Sequence, residues 1–500
     1  MIQSIDYFAI APPLVLALVA GAVLLLDAFL PAGRRVKTGL GVLTLAGVVI
    51  ALGFLAAQAG TSRATFCVPE RLGGGPGLCS FVVDQFTLIF AGLVLVAAVV
   101  IVLMSITELS EGGIPVGEWY FLLLCTLVGA VALPASRDLI MLVVSLELVS
   151  LPVFALTGLR RYDGRSSEAA VKLFLVSVVS TAVMLFGVSL LYGVSGSVFL
   201  SRIASVLGGR SPMPGGASDL TMVVTVGVVL VLAGFAFKIA AVPFHAWAGD
   251  VYQGAPIPVA ALLSVISKAA GFAGLILVMV TALQGQAATW TPIVAVISAL
   301  TMTVGNLLAM RQRSVVRLLA WSSVAQSGYI LAPLAVGTRV PGWSSVSASA
   351  AYLVIYAAMN LGAFAVVMLV SRGAARNELE DYRGLAFRSP GAGVALAFCL
   401  ICLAGLPPGL AGLFAKVVVF RQIVEGGLGW LAVVMAVNTV IGLYYYMAWT
   451  ARLFSPGGSL VVVRGRPQVA GWVAIVGAVG VAVVLSVAPQ LVFDLTVSTG

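Results

Sequence analysis

Charge is scarce in this chain: only 9% of its 500 residues are Asp, Glu, Lys or Arg, where a soluble globular domain carries about a quarter. With 61% of residues hydrophobic, the shortage excludes a soluble globule and leaves an all-α polytopic membrane protein. Histidine is scarcer still, His245 being the single instance, and a metal site needs more ligands than one. Five cysteines follow no haem or iron–sulfur spacing. Cys399 and Cys402 stand in an apolar helical run without a second pair and read as helix packing. No glycine-rich dinucleotide loop, Walker loop or nucleophile triad occurs, so no redox centre, cofactor or metal is expected in the chain itself. The 27 basic residues outnumber 18 acidic ones. The arginines lie in short loops between apolar runs rather than on one basic face, so they report topology and no nucleic-acid partner is expected.

What is present is a succession of apolar runs of about 20 residues, the length a bilayer crossing needs. Fourteen are expected, near 8–30, 38–58, 81–104, 118–135, 138–159, 167–193, 219–241, 256–283, 290–310, 315–336, 345–371, 391–420 with an interruption, 428–453 and 468–492. The first has no basic lead or cleavage site and is too long for a signal-peptide core, so it reads as a span. With the N-terminus outside, 16 basic residues fall on the inner side and 7 on the outer. The positive-inside rule therefore predicts both termini outside. Cys67 and Cys79 then share an outer loop, where either a disulfide or two free thiols are chemically permitted.

Four of the five lysines, Lys172, Lys238, Lys268 and Lys416, fall within spans, whereas Lys37 lies in an inner loop. A lysine at the bilayer centre costs roughly 2.5 to 3.5 kcal/mol, so each needs compensation and marks a functional position. Glu147 is the only acid deep within a span of the first repeat, residues 118–283. Burial raises a carboxylate's pKa and a lysine within reach lowers it again, so such a pair can exchange protons near neutrality. Ser145 or Ser150 holding a neutral Glu147 is the bland alternative. Lys238 precedes a break at Pro243, where a half-helix ends in unpaired carbonyls that favour a cation; snorkelling to an edge is its alternative. Lys268 is too deep to snorkel. Lys416 follows a second break at Pro407-Pro408 by two turns and faces either a polar interior or the outer surface. Lys172 lies four residues from Glu168, so an interfacial ion pair competes with a role in transfer. His245, beside the first break, serves a proton relay or satisfies the broken helix.

Freed backbone within a bilayer survives only where protein buries it or water lines it. A pair of proline-interrupted segments in corresponding halves points to inverted repeats. The expected organisation is three N-terminal helices over 1–117, two five-helix repeats over 118–283 and 284–456, and a last helix over 457–500.

Three segments are similar to the antiporter-like membrane subunits of proton-translocating NADH:quinone oxidoreductase, respiratory complex I. They are Leu146-Glu147-Leu148-Val149-Ser150-Leu151-Pro152, the run Phe237 to Trp247 with Asp250 to Pro256, and Ser267-Lys268-Ala269-Ala270-Gly271-Phe272. The resemblance covers the chain from the first span through Tyr444-Tyr445-Tyr446. The third segment resembles subunit N, because the sister subunits L and M carry a His-Ala-Ala-Thr-Met-like run there. Lysine rather than glutamate at 416 also separates the chain from subunit M. Where the family usually has proline this chain has Gly249, and where glycine is common it has Ala415.

The resemblance implies that Glu147 and Lys238 form a modulated acid–base pair, Lys268 the central relay and Lys416 the terminal lysine. It implies FMN, iron–sulfur clusters and quinone in partner subunits, and neighbours such as the membrane subunits K, J and M. It also implies surrounding lipid and a bacterial cytoplasmic membrane. A cation/proton antiporter subunit of the Mrp type and a non-conducting structural subunit are the competing expectations.

Overall fold

The structure, a computed structural model, describes residues 5–31, 33–69, 78–110, 112–209, 220–339, 342–373, 377–457 and 469–497. The glycine-rich stretch Gly73 to Gly77 and the topology markers Arg71, Arg210, Arg376, Arg464 and Arg466 lie outside the described residues. The chain opens with α1 (Ala11–Phe29) and α2 (Arg34–Ala57), then a hairpin of β1 (Arg63–Cys67) and β2 (Cys79–Val83). Next come α3 (Gln85–Leu109), α4 (Val116–Ala132), α5 (Leu139–Gly158), α6 (Gly164–Ser195), α7 (Leu200–Leu207), α8 (Thr221–Lys238) and α9 (Trp247–Gly254). A crossing assembled from α10 (Ile257–Leu262), a π-helical stretch Leu263–Ser267, α11 (Lys268–Ile276) and a second π-helical stretch Leu277–Ala282 follows. Then come α12 (Ala287–Met310), α13 (Val315–Leu331), α14 (Gly342–Ser371), the short α15 (Leu385–Arg388), α16 (Pro390–Ala404) and α17 (Leu410–Glu425). The last three are α18 (Gly429–Leu453), α19 (Val469–Val487) and α20 (Gln490–Val497).

Among the described residues, 12 helices are long and apolar enough to cross a membrane, and the chain is a multi-pass membrane protein. Two of the fourteen expected crossings fall outside that number. One, α13, has 17 residues; the other is split between α16 and α17 by the proline pair. Local chemistry sets the ends. Asp84 and Asp138 accept hydrogen bonds from the amides of Thr87 and Met141 as N-caps of α3 and α5. Gly405, at a φ of 83°, closes α16 in the left-handed conformation that favours glycine.

Polar groups collect at the two ends of the bundle. At one, Arg63 pairs with Asp6, Arg137 pairs with Asp84 at 2.5 Å, and Cys67 is disulfide-bonded to Cys79 across the hairpin. At the other, Arg160 pairs with Glu108 at 2.6 Å and Arg452 with Glu380 at 3.4 Å. The two ends are separated by the length of α5, 20 residues or about 30 Å.

The two halves share a motif that residue identity alone does not reveal. Leu139 N donates to Val198 O and Leu200 N to Arg137 O, clipping the start of α5 to the segment after α6. Val315 N donates to Asn377 O and Leu379 N to Arg313 O, clipping the start of α13 to the segment after α14. The first clip lies at the hairpin end and the second beside Glu380 at the opposite end, as inversion requires. A shift of 176 positions carries Leu139 to Val315, Arg137 to Arg313 and Gly129 to Gly305. Both glycines sit where a side chain would strike the facing helix, Gly129 against Val149 N and Gly305 against Ala325 N, residues related by the same shift.

Candidate functional site

Lys238 is the last residue of α8, and beyond it the chain turns through Ala240, at a φ of 56°, to a cis bond between Val242 and Pro243. The carbonyl of Ile239 that Pro243 leaves without a helical donor accepts from Ser327 Oγ of α13 at 2.8 Å. Val242 N donates to Thr301 Oγ1 of α12 at 3.0 Å. The break in the first half is therefore satisfied by helices of the second. Lys238 Nζ donates to Ser150 Oγ at 2.7 Å, Ser177 Oγ at 3.2 Å and Glu147 Oε1 at 3.4 Å. Three acceptors match the three N–H bonds of an ammonium. Glu147 Oε1 also accepts from Thr181 Oγ1 at 2.8 Å. Lys238 is buried, but Glu147 is 24% exposed. It shares one face of α5 with the exposed Ile140, Val144 and Leu151.

Lys268 lies at the start of α11, between the two π-helical stretches, a wide-turn geometry that recurs at functional sites. Its Nζ donates to the carbonyl of Ser323 and, at 2.6 Å, to Ser323 Oγ, and stands 5.7 Å from the ring centre of Tyr356. Lys416, on α17, turns back to the second break. Its Nζ donates to the carbonyls of Leu403 at 3.1 Å and Ala404 at 2.8 Å, at the end of α16, and lies 5.9 Å from the ring centre of Tyr329. The bond between Pro407 and Pro408 is cis, like that at Pro243. Of the two places open to Lys416 from the sequence, it occupies the interior.

Lys172 is not brought to these groups. It is 44% exposed and pairs with Glu168 at 2.6 Å and Asp250 at 3.0 Å. Arg317 of α13 reaches the same Asp250 at 2.9 Å. These side chains line a polar cavity of about 310 Å³ with Arg165 and Gln253. Hydrogen bonding from Lys172 and the nearby Arg317 charge hold the Asp250 carboxyl below its ordinary range, against the opposing effect of burial. His245 packs edge-on to Trp321 at 5.6 Å and is not a partner of Lys238. Gly249, where proline is usual, packs on the same indole; a Cβ there would meet Trp321 at 3.0 Å. Among the described residues no group of histidine, cysteine and acidic side chains could hold a metal.

Sequence reasoning missed Ser177, Thr181, Ser323 and Ser327. Serine and threonine are common in apolar helices, where their hydroxyls return to the helix backbone, so only the fold distinguishes these four.

Two broken helices and three buried lysines, Lys238, Lys268 and Lys416, fit the class of antiporter-like membrane subunits. Residues 136–442 match the family model described as the transmembrane part of NADH:quinone oxidoreductase and Mrp antiporters. NADH-quinone oxidoreductase subunit N 2 of Streptomyces griseus is 52% identical over 465 residues, covering 92% of this chain and 85% of that one. NADH-quinone oxidoreductase subunit N of Salinispora tropica is 41% identical over 531 aligned positions, covering 99% of each. In the solved structure of respiratory complex I from Thermus thermophilus with bound aureothin, one chain superposes with a TM-score of 0.78 at 30% identity, covering 98% of this chain and 100% of that one. The chain belongs to the subunit N family of the NADH:quinone oxidoreductases.

Proposed function

We propose that this membrane-arm subunit of NADH:quinone oxidoreductase translocates protons through Glu147, Lys238, Lys268 and Lys416, driven by quinone reduction elsewhere in the complex. The observation that carries the reading is the Lys238 ammonium held by Glu147 and two serines at the end of a broken helix. Moving one proton against 100 mV needs about 2.3 kcal/mol, which a change in the charge of such a pair gates but does not supply. The energy therefore comes from outside the chain, and FMN, iron–sulfur clusters and quinone belong to partner subunits. Residues 118–283 and 284–456 act as the two repeats, with both termini outside a bacterial cytoplasmic membrane.

The exposed face of α5 supports a neighbouring membrane subunit, with K, J and M as candidates. A carboxylate facing hydrocarbon is costly, and a partner on that face shields Glu147. Glu147→Ala and Lys238→Ala in the assembled complex are expected to lower coupled turnover roughly ten-fold or more while assembly persists. Wild-type turnover and pumping in both variants overturn the proposal. An Mrp-type antiporter subunit would instead show sodium-dependent exchange without partners, and a scaffold would be indifferent to loss of the lysines.

A further inference from the structure

The 176-position shift that relates α5 to α13 carries Glu147 to Ser323 and Ser150 to Gln326. In the first repeat both positions contact a lysine, Lys238. In the second only Ser323 does, holding Lys268. Gln326, itself buried, serves a different set. Its Oε1 accepts from Tyr352 OH of α14 at 2.7 Å, and its Nε2 donates to Tyr446 OH of α18 at 3.3 Å. Tyr446 OH lies 2.5 Å from Ser322 Oγ, the neighbour of the serine that holds Lys268. On the other side Tyr352 stacks on Tyr329, with ring centres 6.1 Å apart at 12°, and Lys416 stands over Tyr329. Gln326 thus sits between the surroundings of two lysines that make no direct contact.

An amide has fixed polarity: its oxygen only accepts and its nitrogen only donates. Tyr352 must point its proton at Gln326. Tyr446 accepts from Gln326 and shares a further hydrogen bond with Ser322 Oγ in which either hydroxyl can donate. We infer that Gln326 is a positioning residue for proton passage between Lys268 and Lys416, holding the Tyr352 and Tyr446 hydroxyls in one hydrogen-bond direction. This rests on the proton-translocating reading above. Gln326 carries no proton itself, since an amide would have to tautomerise to do so; it orients the hydroxyls, and through them water, between the two amines. The titratable groups around the position are Tyr445 and Tyr446 from α18, Tyr352 and Tyr356 from α14 and Tyr329 on its own helix, with Lys268 and Lys416 beyond them.

The test uses Gln326→Leu, Gln326→Glu, Tyr446→Phe and, as a control, Lys268→Ala, each in the assembled complex in native membrane vesicles. Proton uptake per NADH is read across pH, and NADH oxidation by an artificial acceptor serves as the check on assembly. Gln326→Leu and Tyr446→Phe are expected to lose about three- to ten-fold in coupled pumping, the equivalent of one or two hydrogen bonds. A protonated glutamic acid still donates and accepts as the amide does, whereas a carboxylate only accepts. Gln326→Glu should therefore approach wild type at low pH and decline as pH rises, a profile that a packing role would not produce. Wild-type pumping in Gln326→Leu, or a pH-independent defect in Gln326→Glu, overturns the inference. If Lys268→Ala also pumps normally, the translocation reading fails; if only Lys268→Ala is impaired, the role of Gln326 alone fails.

Discussion

The two helix breaks contain the same backbone device and use their lysines in opposite ways. At the first, Lys238 ends the half-helix and reaches away to Glu147, Ser150 and Ser177, while a serine from another helix takes over the freed carbonyl of Ile239. At the second, Lys416 starts beyond the break and folds back to cap the carbonyls of Leu403 and Ala404. The first lysine is thus left to answer a carboxylate, and the second is engaged by the backbone it repairs. Inverted repeats can preserve a break while exchanging its electrostatics: the side chains around it, not the break, determine whether its cation has an acid partner.

The comparison is sharpened most by substituting both lysines with methionine. Lys238→Met leaves Glu147 with the Thr181 hydroxyl as its hydrogen-bond donor, and breaking such a pair costs about 3 kcal/mol, since Glu147 is only partly buried in the single chain. Adding Glu147→Gln should restore much of that stability without restoring pumping. Lys416→Met strands two carbonyls and should cost about 2 kcal/mol, with no recovery from Glu147→Gln. Thermal unfolding of the purified complex reads both, and equal rescue of the two lysine variants would erase the distinction.

Ser327→Ala removes the donor to Ile239 and should cost about 1 kcal/mol at the first break. Capping by Lys416 is independent of it, so hydrogen exchange should quicken around residues 236–246 and stay unchanged around 401–409. Faster exchange at both breaks would show that they are mechanically one unit.

The smallest effect is expected at the exposed cluster. Asp250→Asn should cost less than about 0.5 kcal/mol, because its partners Lys172 and Arg317 are 44% and 32% exposed and screened by solvent. The sign with pH is fixed by the lowered folded-state pKa. The contribution is present above the ordinary carboxylate range and is lost as pH falls through the folded-state value. The melting temperatures of wild type and Asp250→Asn should therefore converge on acidification. A gap that widens at low pH would contradict the assignment.

Much of this contrast is legible in the sequence, and the unreadable part has a physical cause. Pro243 and the Pro407-Pro408 pair announce both breaks because proline cannot donate to a helix. Glu147 and Lys238 stand out because charge is so rare in the spans. What Lys416 binds is not legible, since its partners are backbone carbonyls that every residue possesses. Nor is the 176-position register, because the helices that share it hold different side chains: Ser145-Leu146-Glu147 against Trp321-Ser322-Ser323. The short α7 and the hairpin escaped a search for apolar runs of bilayer length, at 8 and 5 residues per element.

The central claim is that Glu147 and Lys238 act as one acid–base unit. A double-mutant cycle on protons pumped per NADH, using Glu147→Gln, Lys238→Met and their combination, tests it most directly. The account predicts that the double variant pumps no worse than the poorer single one. Losses that multiply would contradict it, because two independent sites lose function independently.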